Sequence, residues 1–350
     1  MPARTVWGVL KTAVSRYGAP PLFPHPIPDE VIEVATVIEA SPLNFPMTDA
    51  LRFLPEGPYQ NTPGVFSWVG IQHGSDATSG SLNRFDLATM TNTSSDLPGR
   101  PGFAFPCKTP GKFVVGCERT LGFFDVESGA WEPFCEGVDQ AVENTIINDG
   151  LAIGDNLVFG CKDLEFAHKK AGLYLYRGSD SKLICLRDDQ ICSNGKAIVE
   201  DGDQLSLIDI DSPTRTVVRS TLDLQAGTVG EPEVVLDLTE DPAVPDGAIL
   251  SPDGKSLIVS MFLPSAGPYG ETRQYDLESG DCMRVWRTPL SPQNTCPALV
   301  EFNGKLMLII TTAVEHMSKD DQAVCSNAGK LFFAETDFDP AGWAPPVYQA

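Results

Sequence analysis

Four short polar landmarks hold the residues whose types and spacing could do chemistry: Glu56-Gly57-Pro58, Asn148-Asp149-Gly150, Ser193-Asn194-Gly195 and Pro245-Asp246-Gly247. Carboxylate and amide oxygens suit a hard divalent cation such as calcium or magnesium, and can also hold manganese or zinc. Two formal charges beside neutral amides leave room at such a cation for water or substrate. There a carbonyl can be polarised and bound water made more acidic. Glu56 and Asn148 are 92 residues apart, Asn148 and Asn194 46, and Asn194 and Asp246 52. The long gap is twice the shortest, as if one unmarked repeat lay inside it. Singly, each landmark is ordinary turn chemistry; the common phase is what argues for convergence. Ser251-Pro252-Asp253-Gly254 lies off that phase and reads as a plain hairpin turn.

Bringing such distant residues together requires a repeating architecture. After a Pro-rich connector, Ala19 to Pro28, the chain becomes short β-prone runs separated by Gly, Asp, Asn and Pro. Stacked runs share a strand that ends in an aromatic and Asp, as in Arg84-Phe85-Asp86, Phe123-Phe124-Asp125 and Gln274-Tyr275-Asp276. Placing unit starts near Glu56, Gly102, Asn148, Asn194, Asp246 and Thr295 gives six units with steps of 46, 46, 46, 52 and 49 residues. Repeats of this length imply a solenoid or a propeller. Six units of four strands make an all-β, six-bladed β-propeller of antiparallel blades. In that fold the start of each innermost strand lies at one mouth of the central channel. Residues 1–30 read as an N-terminal extension and 31–350 as one propeller domain. The strand Val31–Glu39 is expected to complete the last blade and close the ring, which removes an exposed edge.

The 350 residues carry a net charge of −22, which argues against nucleic acid as a partner. Nor does any run approach the roughly 18–20 apolar residues that span a bilayer. Nine cysteines, an odd number, form no CxxC pair. Several sit in apolar runs, such as Cys117 and Cys185, and read as buried free thiols of a reducing, cytoplasmic compartment. The basic stretch with Arg4, Lys11 and Arg16 has a weak organelle-targeting character but reads first as a solvated leader or surface helix. A nucleophile elbow, a Walker loop and a dinucleotide fingerprint are all missing. Asp201-Gly202-Asp203 lacks an EF-hand ladder and reads as a hairpin tip. His73, after the second strand of the first unit, and His168, in a loop of the third, are candidates to reach the pocket rim.

The ordered landmarks resemble the senescence marker protein/regucalcin and gluconolactonase family of six-bladed propellers. Trp68-Val69-Gly70-Ile71, Asp211-Ser212-Pro213-Thr214-Arg215 and Thr311-Thr312-Ala313 add to the likeness, which spans about residues 31–336. The resemblance implies Glu56, Asn194 and Asp246 as metal ligands, with Asn148 on the substrate side and able to approach the metal. It implies Asp246 as general base in hydrolysis of a sugar lactone, with the carbonyl polarised by metal and attacked by bound water. Where the family commonly has an arginine that grips substrate oxygens, this chain has Ile146, and an aromatic after Glu-Gly-Pro is replaced by Gln60. The expectation is therefore a small lactone or ester that is not a standard aldonolactone. One divalent ion, calcium first and zinc, manganese or magnesium as other fits, serves a monomer or weak dimer. A non-catalytic calcium- or ligand-binding propeller and a phosphotriesterase-like hydrolase are the alternatives.

Overall fold

Every innermost strand of the fold begins one to three residues before an expected unit start. The computed structural model describes residues 35–349; the N-terminal extension and residues 31–34 of the early strand lie outside them. The six innermost strands are Pro55–Thr62, Pro101–Pro106, Thr145–Ile153, Ser193–Asp201, Val244–Leu250 and Asn294–Phe302. Each pairs antiparallel with the next strand in sequence, and the sheets grow outward in chain order. The inner strands touch in ring order, and Asn294–Phe302 returns against Pro55–Thr62 to complete the circle. The molecule is a six-bladed β-propeller.

Burial explains the blade pattern. Second strands such as Lys112–Cys117, Ser256–Phe262 and Lys305–Thr312 are apolar almost throughout, because both of their faces are covered by neighbouring blades. Neighbouring blades share apolar clusters: Phe66, Trp68 and Phe85 with Val300 and Ile309, for example, or Phe103 and Phe105 with Leu157 and Phe159. The aromatic-Asp ending has two separate jobs. Phe85, Phe124 and Tyr275 are buried between blades. The following aspartates accept backbone N–H bonds that fold the turn to the outer strand. Asp86 takes those of Ala88 and Thr89, Asp125 those of Glu127 and Ser128, and Asp276 those of Glu278 and Ser279.

Closure differs from the expectation. Thr36–Glu39 does not complete the last blade; it lies parallel against Arg284–Arg287 as a fifth, outer strand of the fifth blade. The last blade is instead completed by Ser41–Pro42, antiparallel to Phe332–Phe333. The Ala40 N–H donates to Arg287 O and the Leu43 N–H to Leu331 O, so the chain laces the two blades in passing. Pro42 cannot donate to a ladder and is tolerated on an outer edge. The outer strand of the fourth blade is likewise split, into Thr228–Val229 and Glu233–Asp237 around Gly230-Glu231-Pro232.

The landmarks are not turns. Each lies inside an innermost strand at a break in pairing register: Glu56/Tyr59, Pro101/Phe103, Ile147/Gly150, Asn194/Ala197, Pro245/Ala248 and Asn294/Pro297. These are β-bulges, which bend a strand and re-aim its side chains. The off-phase Ser251–Gly254 segment is a hairpin turn, with the Gly254 N–H donating to Ser251 O. Asp201-Gly202-Asp203 bridges two strands in the same way. The nine cysteines form no disulfide; Cys185 is exposed rather than buried, on the outer strand Lys182–Gln190. Among the described residues no helix is long and apolar enough to cross a membrane.

Candidate active site

The bulges deliver four side chains from four blades to one pocket at the channel mouth. Glu56, Asn148, Asn194 and Asp246 all line it. The bulge glycines permit the approach of neighbouring inner strands. A Cβ on Gly102 would stand 1.9 Å from the Asn148 carbonyl oxygen, and one on Gly195 would stand 2.6 Å from that of Asp246. The unmarked second unit therefore contributes space where the others contribute polar groups.

The amides are held by a network. Asn148 Nδ2 donates to Asn194 Oδ1 at 2.7 Å and to the Ser193 carbonyl at 2.9 Å. Asn194 Nδ2 donates to Ser212 Oγ at 2.9 Å, and Ser212 Oγ donates onward to the Pro245 carbonyl at 2.6 Å. This chain ties the third, fourth and fifth blades across the site. Beneath it, Lys196 Nζ donates to Ser193 Oγ and to the Asn194 carbonyl and sits 3.3 Å from Asp209 Oδ1. That buried ammonium is fully engaged in fixing the Asn194 strand.

The carboxylates are not comparably engaged. Glu56 Oε2 accepts the N–H of its neighbour Gly57 at 3.0 Å, whereas no described residue donates a hydrogen bond to the Asp246 carboxylate. Burial first, then the charge of Asp149, pushes the Glu56 carboxyl from its ordinary 4.5 up to about 8. Burial, followed by the charges of Glu56 and Asp149, raises Asp246 well above the usual carboxylate range. A half-buried and a buried carboxyl group lining one pocket with little hydrogen bonding are unfavourable as a pair of anions. A cation between them would remove the penalty, so the donor set fits a hard divalent ion. Among the described residues no three His, Cys, Asp or Glu side chains cluster as metal ligands; this set is two carboxylates plus two amides.

Around the four, the wall is formed by Leu54, Ile71, Phe166, Val244, Phe262, Pro213 and Pro264, with Lys162, Cys192 and Glu315 as further polar members. Phe166 comes from the loop expected to overhang the channel. Its backbone is left-handed, φ 49°, which is strained for a bulky residue. Asp163 pins this loop, its carboxylate accepting the N–H groups of Glu165, Ala167 and His168 and pairing with Lys170 Nζ at 3.1 Å. Burial by itself would raise the Asp163 carboxyl, but these donors hold it below the ordinary carboxylate value.

Three residues assigned to the substrate side lie off the pocket wall. Ile146 is buried, 2 % exposed, in strand register with Lys162. His73 shares a 3.0 Å hydrogen bond with Ser81 Oγ, and the exposed His168 ring lies 3.9 Å from Glu165. Gln60 also stays outside, accepting the Glu301 N–H at 2.6 Å to join the first and last blades. Sequence reasoning passed over Lys162, Glu315 and Cys192. Lys162 ends the apolar run Leu157–Cys161, and a lone cation ending a doubly covered strand was a usable signal.

Comparison with known proteins places the chain in a family. The family profile described as "SMP-30/Gluconolactonase/LRE-like region" matches residues 54–314. The putative sugar lactone lactonase YvrE of Bacillus subtilis (strain 168) is 29% identical over 189 residues, covering 53% of this chain and 59% of that protein. The chain thus spans about three fifths of the length of that curated relative. A calcium-binding regucalcin from Agrobacterium tumefaciens strain C58 superposes with TM-score 0.75 at 21% identity, covering 91% of this chain and all of the other. A luciferin-regenerating enzyme superposes at 0.71 and 20% identity, covering 85% and 95%. At those identities the two structures speak for the fold alone. With the profile running from Leu54, just before the strand that carries Glu56, to the loop after Thr312, the chain belongs to the SMP-30/gluconolactonase/LRE-like family.

Proposed function

We propose that the protein is a divalent-cation-dependent hydrolase that opens a lactone ring. The observation that carries this reading is the convergence of half-buried Glu56 and buried Asp246, two sparsely hydrogen-bonded carboxyl groups, with Asn148 and Asn194 in one pocket whose remaining wall is mostly apolar. Family membership and the lactonase naming of the Bacillus relative support it.

Glu56, Asp246, Asn148 and Asn194 would hold the ion, with calcium the first choice for an all-oxygen set and zinc, manganese or magnesium as other fits. Such an ion supplies Lewis acidity to a substrate carbonyl and to water. Asp246 is the group placed to act as base. It accepts the proton released as water adds to the lactone carbonyl and returns it to the ring oxygen as the C–O bond breaks, leaving a hydroxy acid. Asn148, hydrogen-bonded to Asn194 and facing the pocket, orients the substrate. Phe166 and Phe262 cover the ring and exclude bulk water. The apolar wall favours a lactone less polar than a sugar aldonolactone.

The test is chelator-stripped protein assayed by pH-stat on a panel of simple, hydroxylated and sugar lactones, with calcium, zinc, manganese or magnesium restored in turn. Activity that returns with one ion and disappears in Asp246→Asn is the expected result. Full activity in the metal-stripped protein, or retained turnover in a folded, metal-loaded Asp246→Asn, would sink the reading.

A further inference from the structure

The pocket contains a cation that the hydrolase reading leaves without a task. Lys162 lies at the end of the strand Asn156–Asp163, is 5 % exposed, and lines the same pocket as Glu56 and Asp246. Its backbone is fixed on both sides, in ladder register with Ile146 of its own blade and bridged to Cys192 of the next. The ammonium is therefore placed by two blades rather than by a mobile loop. Yet among the described residues it makes no hydrogen bond or ion pair. Lys196 serves as an internal control. It is equally buried and only one blade away, but its ammonium contacts a hydroxyl, a carbonyl and a carboxylate. The Lys162 charge faces those of Glu56 and Asp246 across the pocket, but a buried ammonium with no hydrogen-bond acceptor is costly unless something brings oxygen to it. Lys162 thus has the character of a binding group, where Lys196 has that of a structural one.

Charge and surroundings define what it would bind. Besides Lys162, the charged residues lining the pocket are Glu56, Asp246 and Glu315. Lys162 and one divalent ion together would balance those three carboxylates. A pocket so balanced has no surplus positive charge for an anionic ligand and favours a neutral one. The remaining wall is mostly Leu, Ile, Val, Phe and Pro, which suits an apolar body.

We propose that Lys162 is a specificity-determining residue, donating hydrogen bonds to a hydroxyl or keto oxygen carried by a neutral, otherwise apolar lactone seated beside Glu56 and Asp246. This rests on the hydrolase reading. It deepens that reading by naming the substrate class: a lactone bearing an oxygen substituent near its carbonyl, rather than an unsubstituted or polyhydroxylated one. Lys162 selects such a ligand because an analogue without the oxygen leaves the ammonium desolvated and unpaired.

The experiment compares wild type, Lys162→Met and Lys162→Arg, each loaded with the ion that best activates wild type. Two readouts are taken: kcat/KM on γ-butyrolactone and on α-hydroxy-γ-butyrolactone, and ion affinity by calorimetry. In Lys162→Met the preference for the hydroxylated lactone falls by roughly tenfold to a hundredfold, the scale of one hydrogen bond to a charged group. Ion affinity rises, because a neighbouring positive charge has gone. Lys162→Arg keeps part of the preference. A damaged fold would weaken ion and substrate together, so the opposite signs separate binding from disruption. An unchanged preference ratio, an equal fall on both lactones, or a weakened ion affinity in Lys162→Met would overturn the assignment while the hydrolase reading stands. A wild type that hydrolyses no lactone with any ion would remove the hydrolase reading, and this one with it.

Discussion

At the scale of single residues, the site stores electrostatic cost in Glu56 and Asp246. The Glu56 carboxyl titrates near 8 against an ordinary 4.5, with burial as the leading cause. Between those values the native state holds more protons than the unfolded chain, so stability falls as pH rises. Chelated protein should therefore lose melting temperature from pH 5 to pH 8. Calcium-loaded protein should lose less, so the gap between the two widens with pH in calorimetric scans. Asp246→Asn separates stability from function. It removes one buried carboxyl that has no hydrogen-bond donor, so the chelated variant should melt about 2–4 °C above chelated wild type, the shift expected for roughly 1 kcal/mol. The same variant should bind the ion weakly and show no turnover. A lower melting point in chelated Asp246→Asn would mean that the carboxyl is structurally satisfied after all.

At the scale of elements, the working device is the β-bulge. A regular inner strand would point alternate side chains up into one blade interface and down into the other. The break in register between Ile147 and Gly150, and its counterparts in the other blades, turns side chains toward the axis instead. Glycine is required where the inner strands then crowd. Gly102→Ala would drive a Cβ into the Asn148 carbonyl and also within 2.7 Å of the Ile147 carbonyl. Backbone atoms cannot yield as a flexible side chain does. The substitution should cost about 3 kcal/mol in denaturant unfolding and weaken ion binding by displacing Asn148. A variant with wild-type stability and ion affinity would show that the second blade has no part in positioning the site. Here the sequence was only half legible. Glu-Gly-Pro and Asn-Asp-Gly look like turns because bulges and turns draw on the same residues, Gly, Asn and Asp. Their phase revealed that they belonged together, but their backbone form came only from the ladder register.

At the scale of the whole molecule, the ring closes at its N-terminal side through contacts of Ala40 and Leu43 rather than by a long strand. Leu43 is buried among Phe66, Trp68, Phe85 and Leu331. Leu43→Ala should cost about 2–5 kcal/mol of stability, in keeping with a buried leucine truncation. It should leave ion affinity near the wild-type value, since the pocket lies at the channel mouth and Leu43 does not line it. Thermal unfolding with and without calcium checks both parts: the calcium-induced shift stays while the melting point falls. A lost calcium shift would mean that closure and site are one cooperative unit.

By itself the sequence determined the repeat, its six starts and the four polar residues that share a phase, because apolar alternation and bulge chemistry are local properties written every 46 to 52 residues. It could not decide which outer strand closes which blade. Thr36–Glu39 and Ser41–Pro42 are joined to their blades by backbone bonds, which almost any residue can make. Nor could it decide the pocket wall. Ile146 was singled out because the family commonly has a substrate-gripping arginine there, yet it is buried off the wall, while Lys162, opposite it in the ladder, lines the pocket. In a regular strand Ile146 and Asn148, two residues apart, would share a face; the register break between Ile147 and Gly150 turns Asn148 away from that alternation. The four polar residues that converge were therefore readable from spacing along the chain, and Lys162 beside them only from the tertiary structure.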